Sequence, residues 1–184
     1  MSRYTLGVDT SNYATSLAVF DTAGEVVCAK KRFLPVKAGQ LGLRPVMTLK
    51  TTVSTIKVYE PGTSVSYGRR FVTDRTTRMG VVPYGYADGF FRCLSDRWQM
   101  MTAEGPAPQR GRICMDMCMI DLTDRPSVDV GDEVEIFGPD NSVNDMAEQA
   151  GTIPYELTCA VSKRVPRIYL RQGQEIAREL LLRF

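Results

Sequence analysis

Between residues 46 and 138 the chain is a succession of short extended segments cut apart by turn-forming residues, and this punctuation restricts the possible folds more than any other feature. The segments read MTLKTTVSTIKVYE, EPGTSVSYG, TTRMGVVPYGYADG, GRICMDMCMIDL and DEVEIFG, with Thr, Val and Ile recurring at spacings of two. A period of two belongs to a strand with one buried face, because successive side chains point to opposite sides of the pleat. Pro61-Gly62, Gly131-Asp132 and Gly138-Pro139 supply turns between strands. So many strands would leave exposed edges unless the sheet closes on itself. The pattern therefore predicts a mainly β domain built as a β-barrel or closed sheet.

The flanks differ. Residues 4–8 and 15–20 are short β-forming runs joined by DTSNY and followed by DTAG and EVVCA, which predicts an N-terminal β-hairpin or three-stranded ribbon. A ribbon of about 30 residues is hard to stabilise by itself. Pro35, Gly39, Gly42 and Pro45 then interrupt any periodicity and mark a linker. Residues 142–150 fit a short helix with Ser142 or Asn144 as its cap and Gly151 as its stop. YELTCAVSKRVPRIYL returns to a β pattern, and the tail places Ile176, Leu180 and Phe184 at i, i+4 and i+8 beside Ala177 and Leu181, as an amphipathic helix would. The expected organisation is a hairpin unit over 1–43, a β-barrel over 44–170 and a C-terminal helix or tail over 171–184, with one or two short helices in all.

Charge excludes several partners. Lys and Arg number 23 against 21 Asp and Glu, a formal net charge of +2, so no long-range field steers nucleic acid or an anionic membrane to this chain. No apolar run approaches the roughly 20 residues that span a bilayer, and the start is polar, which predicts a cytoplasmic protein. Five cysteines stand without a paired-ligand spacing and without any histidine, so no metal site is expected and the thiols read as reduced. The absence of histidine also removes Ser-His-Asp and Cys-His mechanisms, leaving tyrosine, lysine and carboxylates as proton carriers.

Chemistry concentrates in a few places. The GYADG run at 85–89 ends an apolar strand in a tight turn, where Tyr86 is either a packing residue with a bonded hydroxyl or a proton carrier assisted by a nearby cation. In GRICMDMCMI a strict alternation puts Ile113, Met115, Met117 and Met119 on one face as core filling and Cys114, Asp116, Cys118 and Ile120 on the other. A soft-metal site is the competing idea there, and strand neighbours alone do not supply converging ligands. Asp116 among apolar neighbours calls for a basic or amide partner from another segment. Arg112, Lys163, Arg164 and Arg167 are solvated charge or a small anion site. Asp9-Thr10-Ser11-Asn12 resembles a phosphate-binding turn without the glycines of a P-loop.

The motifs RPVMTLK (44–50), PGTSVSYGRRF (61–71), GYADG (85–89), GRICMD (111–116), VGDEV (130–134) and TIPYELTCAVSKRVPRIY (152–169) follow one another as in the C-terminal β-domain of alanine racemases. The stretch from about Leu43 to Leu170 resembles that domain over some two thirds of the chain. The family interconverts L- and D-alanine with pyridoxal phosphate, an isomerase activity serving the bacterial cell wall. The resemblance implies that Tyr86 is the catalytic tyrosine exchanging the substrate α-proton, that Met115 holds the substrate carboxylate through its backbone N–H, that Arg112 lines the entrance, and that Tyr155 contacts the cofactor phosphate. It also implies a homodimer, or a separate racemase barrel domain as partner, because in this family the β-domain serves a neighbouring subunit's site.

The family's (β/α)₈ domain supplies the lysine and most of the phosphate cradle. None of Lys30, Lys31 or Lys37 before the match stands in the family's lysine context, so this chain is expected not to hold pyridoxal phosphate by itself and to be inactive alone. Residues 1–43, with LGVDTSNYATSLAVFD and LPVKAGQLGLR, resemble the opening of the O-sialoglycoprotein endopeptidase and tRNA threonylcarbamoyl-transferase group, an actin-like ATPase fold. Only its first hairpin is present, so no nucleotide binding is expected. The alternative class for the whole is a non-catalytic β-barrel module for protein interaction or ligand binding.

Overall fold

The computed structural model describes the backbone of residues 5–11, 14–20, 26–33 and 46–180, and side chains within 46–180. The chain divides into two compact units, Met1–Arg44 and Pro45–Phe184. In the first, β1 (Thr5–Ser11), β2 (Ala14–Phe20) and β3 (Val26–Phe33) form an antiparallel ribbon in sequential order, as the β-forming runs predict. The side chains of Asp9 to Asn12 and the linker at 34–45 lie outside the described residues.

The second unit begins with β4 (Leu49–Thr52) and β5 (Thr55–Tyr59), then a two-residue pair, β6 (Ser64–Val65) with β7 (Phe71–Val72). There follow β8 (Thr77–Val82), β9 (Gln99–Thr102), β10 (Gly105–Arg110), β11 (Cys118–Asp121) and β12 (Glu133–Phe137). One seven-stranded sheet runs in the order β4-β12-β9-β10-β11-β8-β5, with the assigned pairings antiparallel. Its two edges, β4 and β5, are consecutive in the chain and separated by Val53 and Ser54. Val53 N–H donates to the Asp132 carbonyl on one side (2.9 Å), and Ser54 N–H to that of Val81 on the other (2.8 Å). A single bent segment thus touches both ends of the sheet. The barrel-like architecture is a curled, open half-barrel, with no ladder between its edges.

Alternation along the strands buries Val82, Met100, Ile120, Val134 and Ile136 completely, and Phe90 and Leu94 from the segment between β8 and β9 join them. Each such side chain contributes roughly 1.5–3 kcal/mol by leaving water. Trp98 joins them and satisfies its indole N–H on the Ile136 carbonyl (2.9 Å), which makes so large an amphipathic ring compatible with the core. The helix α1 (Val143–Ala150) forms where expected. The Ser142 hydroxyl accepts from the amides of Asn144 and Asp145, and Gly151 ends the helix at φ 73°.

Three local expectations are corrected. The GRICMDMCMI alternation fails because Cys114 N–H donates to the Met117 carbonyl (2.9 Å), closing a tight turn. Ile113 is buried, but Met115 and Met117 face solvent at 52% and 47% exposure, so they are not core filling. Strand geometry resumes only at Cys118. The stretch after Ile153 opens as a helix, α2 (Pro154–Ala160): Pro154 occupies its first turn, and Leu157 with Val161 at i+4 enters the core, so tertiary burial overrides the β preference of Thr158 and Cys159.

The tail is not a helix over the described residues. Gln172 and Gly173, at φ 52° and 79°, make a two-residue turn that folds β14 (Gln174–Glu179) back on β13 (Arg167–Arg171). The i, i+4 spacing of Ile176 and Leu180 was available to a helix, but backbone pairing with β13 satisfies the amides instead. Leu181 and Phe184 lie outside the described residues.

Candidate functional site

Three loops converge near one end of the sheet: the SYGRR run after β6, the GYADG turn after β8, and the turn at 114–117 before β11. Their approach is dictated by side chains that are small or absent. Gly85 has an extended backbone at φ −137°, but a Cβ there would strike the carbonyl oxygens of Cys114 and Met115. Those same carbonyls accept the amides of Tyr86 and Ala87, each at 2.9 Å. The GYADG turn therefore lies directly against the 114–117 turn, and only glycine permits that contact.

Tyr86 begins a single 3₁₀ turn and is 46% exposed. Its hydroxyl takes part in no hydrogen bond among the described residues, so the packing reading with a bonded hydroxyl does not hold. Arg92 instead places its guanidinium 5.9 Å over the ring face. The packing tyrosine of this run is Tyr84, which is buried, stands 5.6 Å from the Phe90 ring and donates to the Asp88 carbonyl at 3.3 Å. Burial, and the Asp88 charge after it, push the Tyr84 phenol far above its ordinary pKa, so it stays protonated.

A cleft of about 470 Å³ opens beside the 114–117 turn. Its walls come from Ser66, Tyr67, Val81 and the run from Cys114 to Met119. Tyr67 is 73% exposed. It was not singled out in the sequence, where its signal was an aromatic set in a Ser-Tyr-Gly-Arg-Arg run between two very short strands. Ser66, Gly68 and Arg69 around it all adopt positive φ, which turns the loop outward. The Ser66 hydroxyl accepts the Arg112 amide (2.6 Å) and donates to the Arg112 carbonyl (3.2 Å). Gly68 leaves room for the Arg112 guanidinium alongside it.

Met115 thus lines the cleft with Tyr67, and Arg112 is tied to the adjoining Ser66, while Tyr86 bonds the Cys114 carbonyl through its amide and does not line the cleft. Tyr155 stands in the first turn of α2, half-exposed, with no side-chain hydrogen bond among the described residues. Its helix reaches the site at the far end, where the Ala160 carbonyl closes on Gly89. Asp116 finds the basic partner its sequence called for, Arg164 Nη2 at 2.7 Å, though it is exposed and not buried. Arg164 also donates through Nε to Asp88 at 2.6 Å. These bonds, to Asp88 first and Asp116 second, hold the Arg164 guanidinium even more firmly protonated than usual.

The cleft offers a phenol, thioethers, thiols and one carboxylate. It has no amine that could form an imine, since Lys50 is paired with Glu133 at 2.5 Å and neither Lys57 nor Lys163 lines the cleft, and the Arg112 guanidinium stands beside it and not among its lining residues. The described residues therefore do not by themselves fit pyridoxal phosphate. No group of three or more Cys, Asp or Glu that could hold a metal occurs among them, and no described helix is long and apolar enough to cross a membrane.

The thiols differ by burial. Cys114 and Cys118 are both pushed up by desolvation, Cys118 the further, while Cys93 and Cys159 are exposed. With iodoacetamide near pH 8, the exposed Cys93 and Cys159 are expected to alkylate first and the part-buried Cys114 more slowly, because desolvation disfavours its reactive thiolate. Cys118 should label only on unfolding. Peptide mass mapping of a time course checks the order.

Residues 46–169 match the family described as alanine racemase, C-terminal domain. Alanine racemase 1 of Clostridium acetobutylicum is 50% identical over 145 residues, covering 77% of this chain and 38% of that protein. The alanine racemase of Clostridium novyi is 38% identical over 190 residues, covering 96% of this chain and 49% of that protein. Among solved structures, the alanine racemase of Clostridium difficile 630 in complex with cycloserine superposes with a TM-score of 0.74 at 35% identity, over 81% of this chain and 41% of that one. The chain spans less than half the length of each of these relatives.

Proposed function

The chain belongs to the alanine racemase C-terminal domain family, and on that premise we propose that it supplies one side of an alanine racemase site whose other side, with the pyridoxal phosphate, is carried by a barrel domain on another polypeptide or another copy. The observation that carries this reading is the cleft lined by Tyr67 and Met115, with Arg112 tied to its wall residue Ser66 and without an amine to anchor the cofactor. When bound, the cofactor makes the substrate α-proton acidic. The chain's own contribution is a phenol able to take or return a proton, a backbone turn presenting the Met115 amide to a carboxylate, and a guanidinium at the rim.

Two tyrosines compete for the proton. The family motif favours Tyr86, and the cleft geometry favours Tyr67, whose ring lines the same space as Met115. Tyr155 would face the cofactor phosphate from the first turn of α2. For residues 1–43 we infer descent from the opening hairpin of an ATPase-type fold, supported by the LGVDTSNYATSLAVFD run and the β1-β2-β3 ribbon.

The purified chain with pyridoxal phosphate and L-alanine should form no D-alanine. Adding the barrel domain of the Clostridium acetobutylicum relative should restore racemisation, read by a coupled D-amino-acid oxidase assay. Turnover by the chain alone would overturn the split-site reading. If the two polypeptides neither associate nor turn over alanine, the non-catalytic β module takes its place.

A further inference from the structure

We propose that Arg164 is a positioning residue whose guanidinium fork sets the spacing between the turn carrying Tyr86 and the turn carrying Met115. The proposal rests on reading those turns as part of a racemase half-site. Three separate stretches of chain meet at this one side chain, 76 residues from one of its partners and 48 from the other.

Asp88 is the first anchor. Its side chain is only 11% exposed, and both carboxylate oxygens are taken: Oδ2 accepts the Gly85 amide at 2.8 Å and Oδ1 accepts Arg164 Nε at 2.6 Å. Its backbone carbonyl also accepts the Ser162 amide at 2.9 Å, tying the GYADG turn to the segment that bears Arg164. Asp116 is the second anchor. It lies between Met115 and Met117 at the tip of the other turn, and Arg164 Nη2 is its recorded side-chain partner among the described residues.

Apart from this fork, the two turns are joined by the pair of amide bonds from Tyr86 and Ala87 to the Cys114 and Met115 carbonyls. Two amide bonds between short loops can open locally without unfolding the sheet. A rigid planar donor that binds a carboxylate on each turn restricts that opening, and a lysine, being a point charge on a flexible stem, would hold the two with less directional control. Arg164 touches no position assigned to a reacting atom, so its effect on the site is through the turns it holds.

The test is amide hydrogen exchange by NMR on the full chain. In Arg164→Met, exchange at Tyr86 and Ala87 should rise by about 10- to 100-fold, while strand amides such as Ile120 and Val134 change by less than about twofold. Arg164→Lys should recover part of the protection. Asp116→Asn, which leaves the buried Asp88 pair in place, should loosen Ala87 more than Gly85 and keeps the test available if Arg164→Met does not fold. Unchanged exchange at Tyr86 and Ala87 in the folded variants, or an equal rise at every core amide, would overturn the proposal. The measurement needs neither cofactor nor second polypeptide, so failure of the racemase reading and failure of this one are seen separately.

Discussion

Tyr67→Phe is expected to lower kcat of the reconstituted two-polypeptide racemase by about 10²- to 10⁴-fold, the usual worth of a positioned acid or base. Phenylalanine keeps the ring that lines the cleft and removes only the hydroxyl, so substrate binding, and with it KM, should move little. Tyr86→Phe should cost less than about tenfold, because its ring lies outside the cleft under Arg92 and its amide bond to the Cys114 carbonyl is left intact by the substitution. The converse outcome, a large loss at Tyr86 and a small one at Tyr67, would return the proton carrier to the GYADG turn. Measuring both directions of racemisation in each variant separates the two assignments.

Gly85→Ala should destabilise the second unit by about 3 kcal/mol. The backbone there is extended, so no left-handed strain is involved. The cost is steric: the new methyl meets the Cys114 and Met115 carbonyls, which are backbone and cannot rotate aside. Overpacking of this kind costs about 1–3 kcal/mol. Retreat of the 114–117 turn also weakens the Tyr86 and Ala87 amide bonds, at about 1 kcal/mol each. Gly131→Ala is the control, since φ is +95° with open space around it and only the left-handed penalty of about 1–2 kcal/mol applies. Urea unfolding should show a lower midpoint for Gly85→Ala at an unchanged slope. Equal losses in the two variants would mean that conformational preference, and not the loop contact, explains Gly85.

Both expectations depend on features of different legibility. The GYADG run was readable as a turn and Asp116 announced a basic partner by its apolar neighbours, whereas the turn after GRIC was hidden by an alternation that reads as a strand. That the partner is Arg164 was not readable, because nothing in a run of basic residues distinguishes a fork engaged by two distant carboxylates from solvated charge. Tyr67 was passed over for the same kind of reason. Its proposed role rests on the cleft it lines, and a cleft is a property of several loops at once.

What the sequence determined by itself is the class of fold and the family: alternation and turn residues are local, and they produced the ribbon β1-β2-β3, the strands of the curled sheet and the capped helix α1. Tertiary structure decided wherever local preference was weak or balanced. Burial of Leu157 and Val161 made α2 a helix despite β-forming neighbours, pairing with β13 made β14 a strand despite helical spacing, and the Cys114 to Met117 bond turned two methionines outward. In each case the deciding free energy comes from contacts between residues far apart in the chain or from backbone pairing, which no local pattern of side chains encodes.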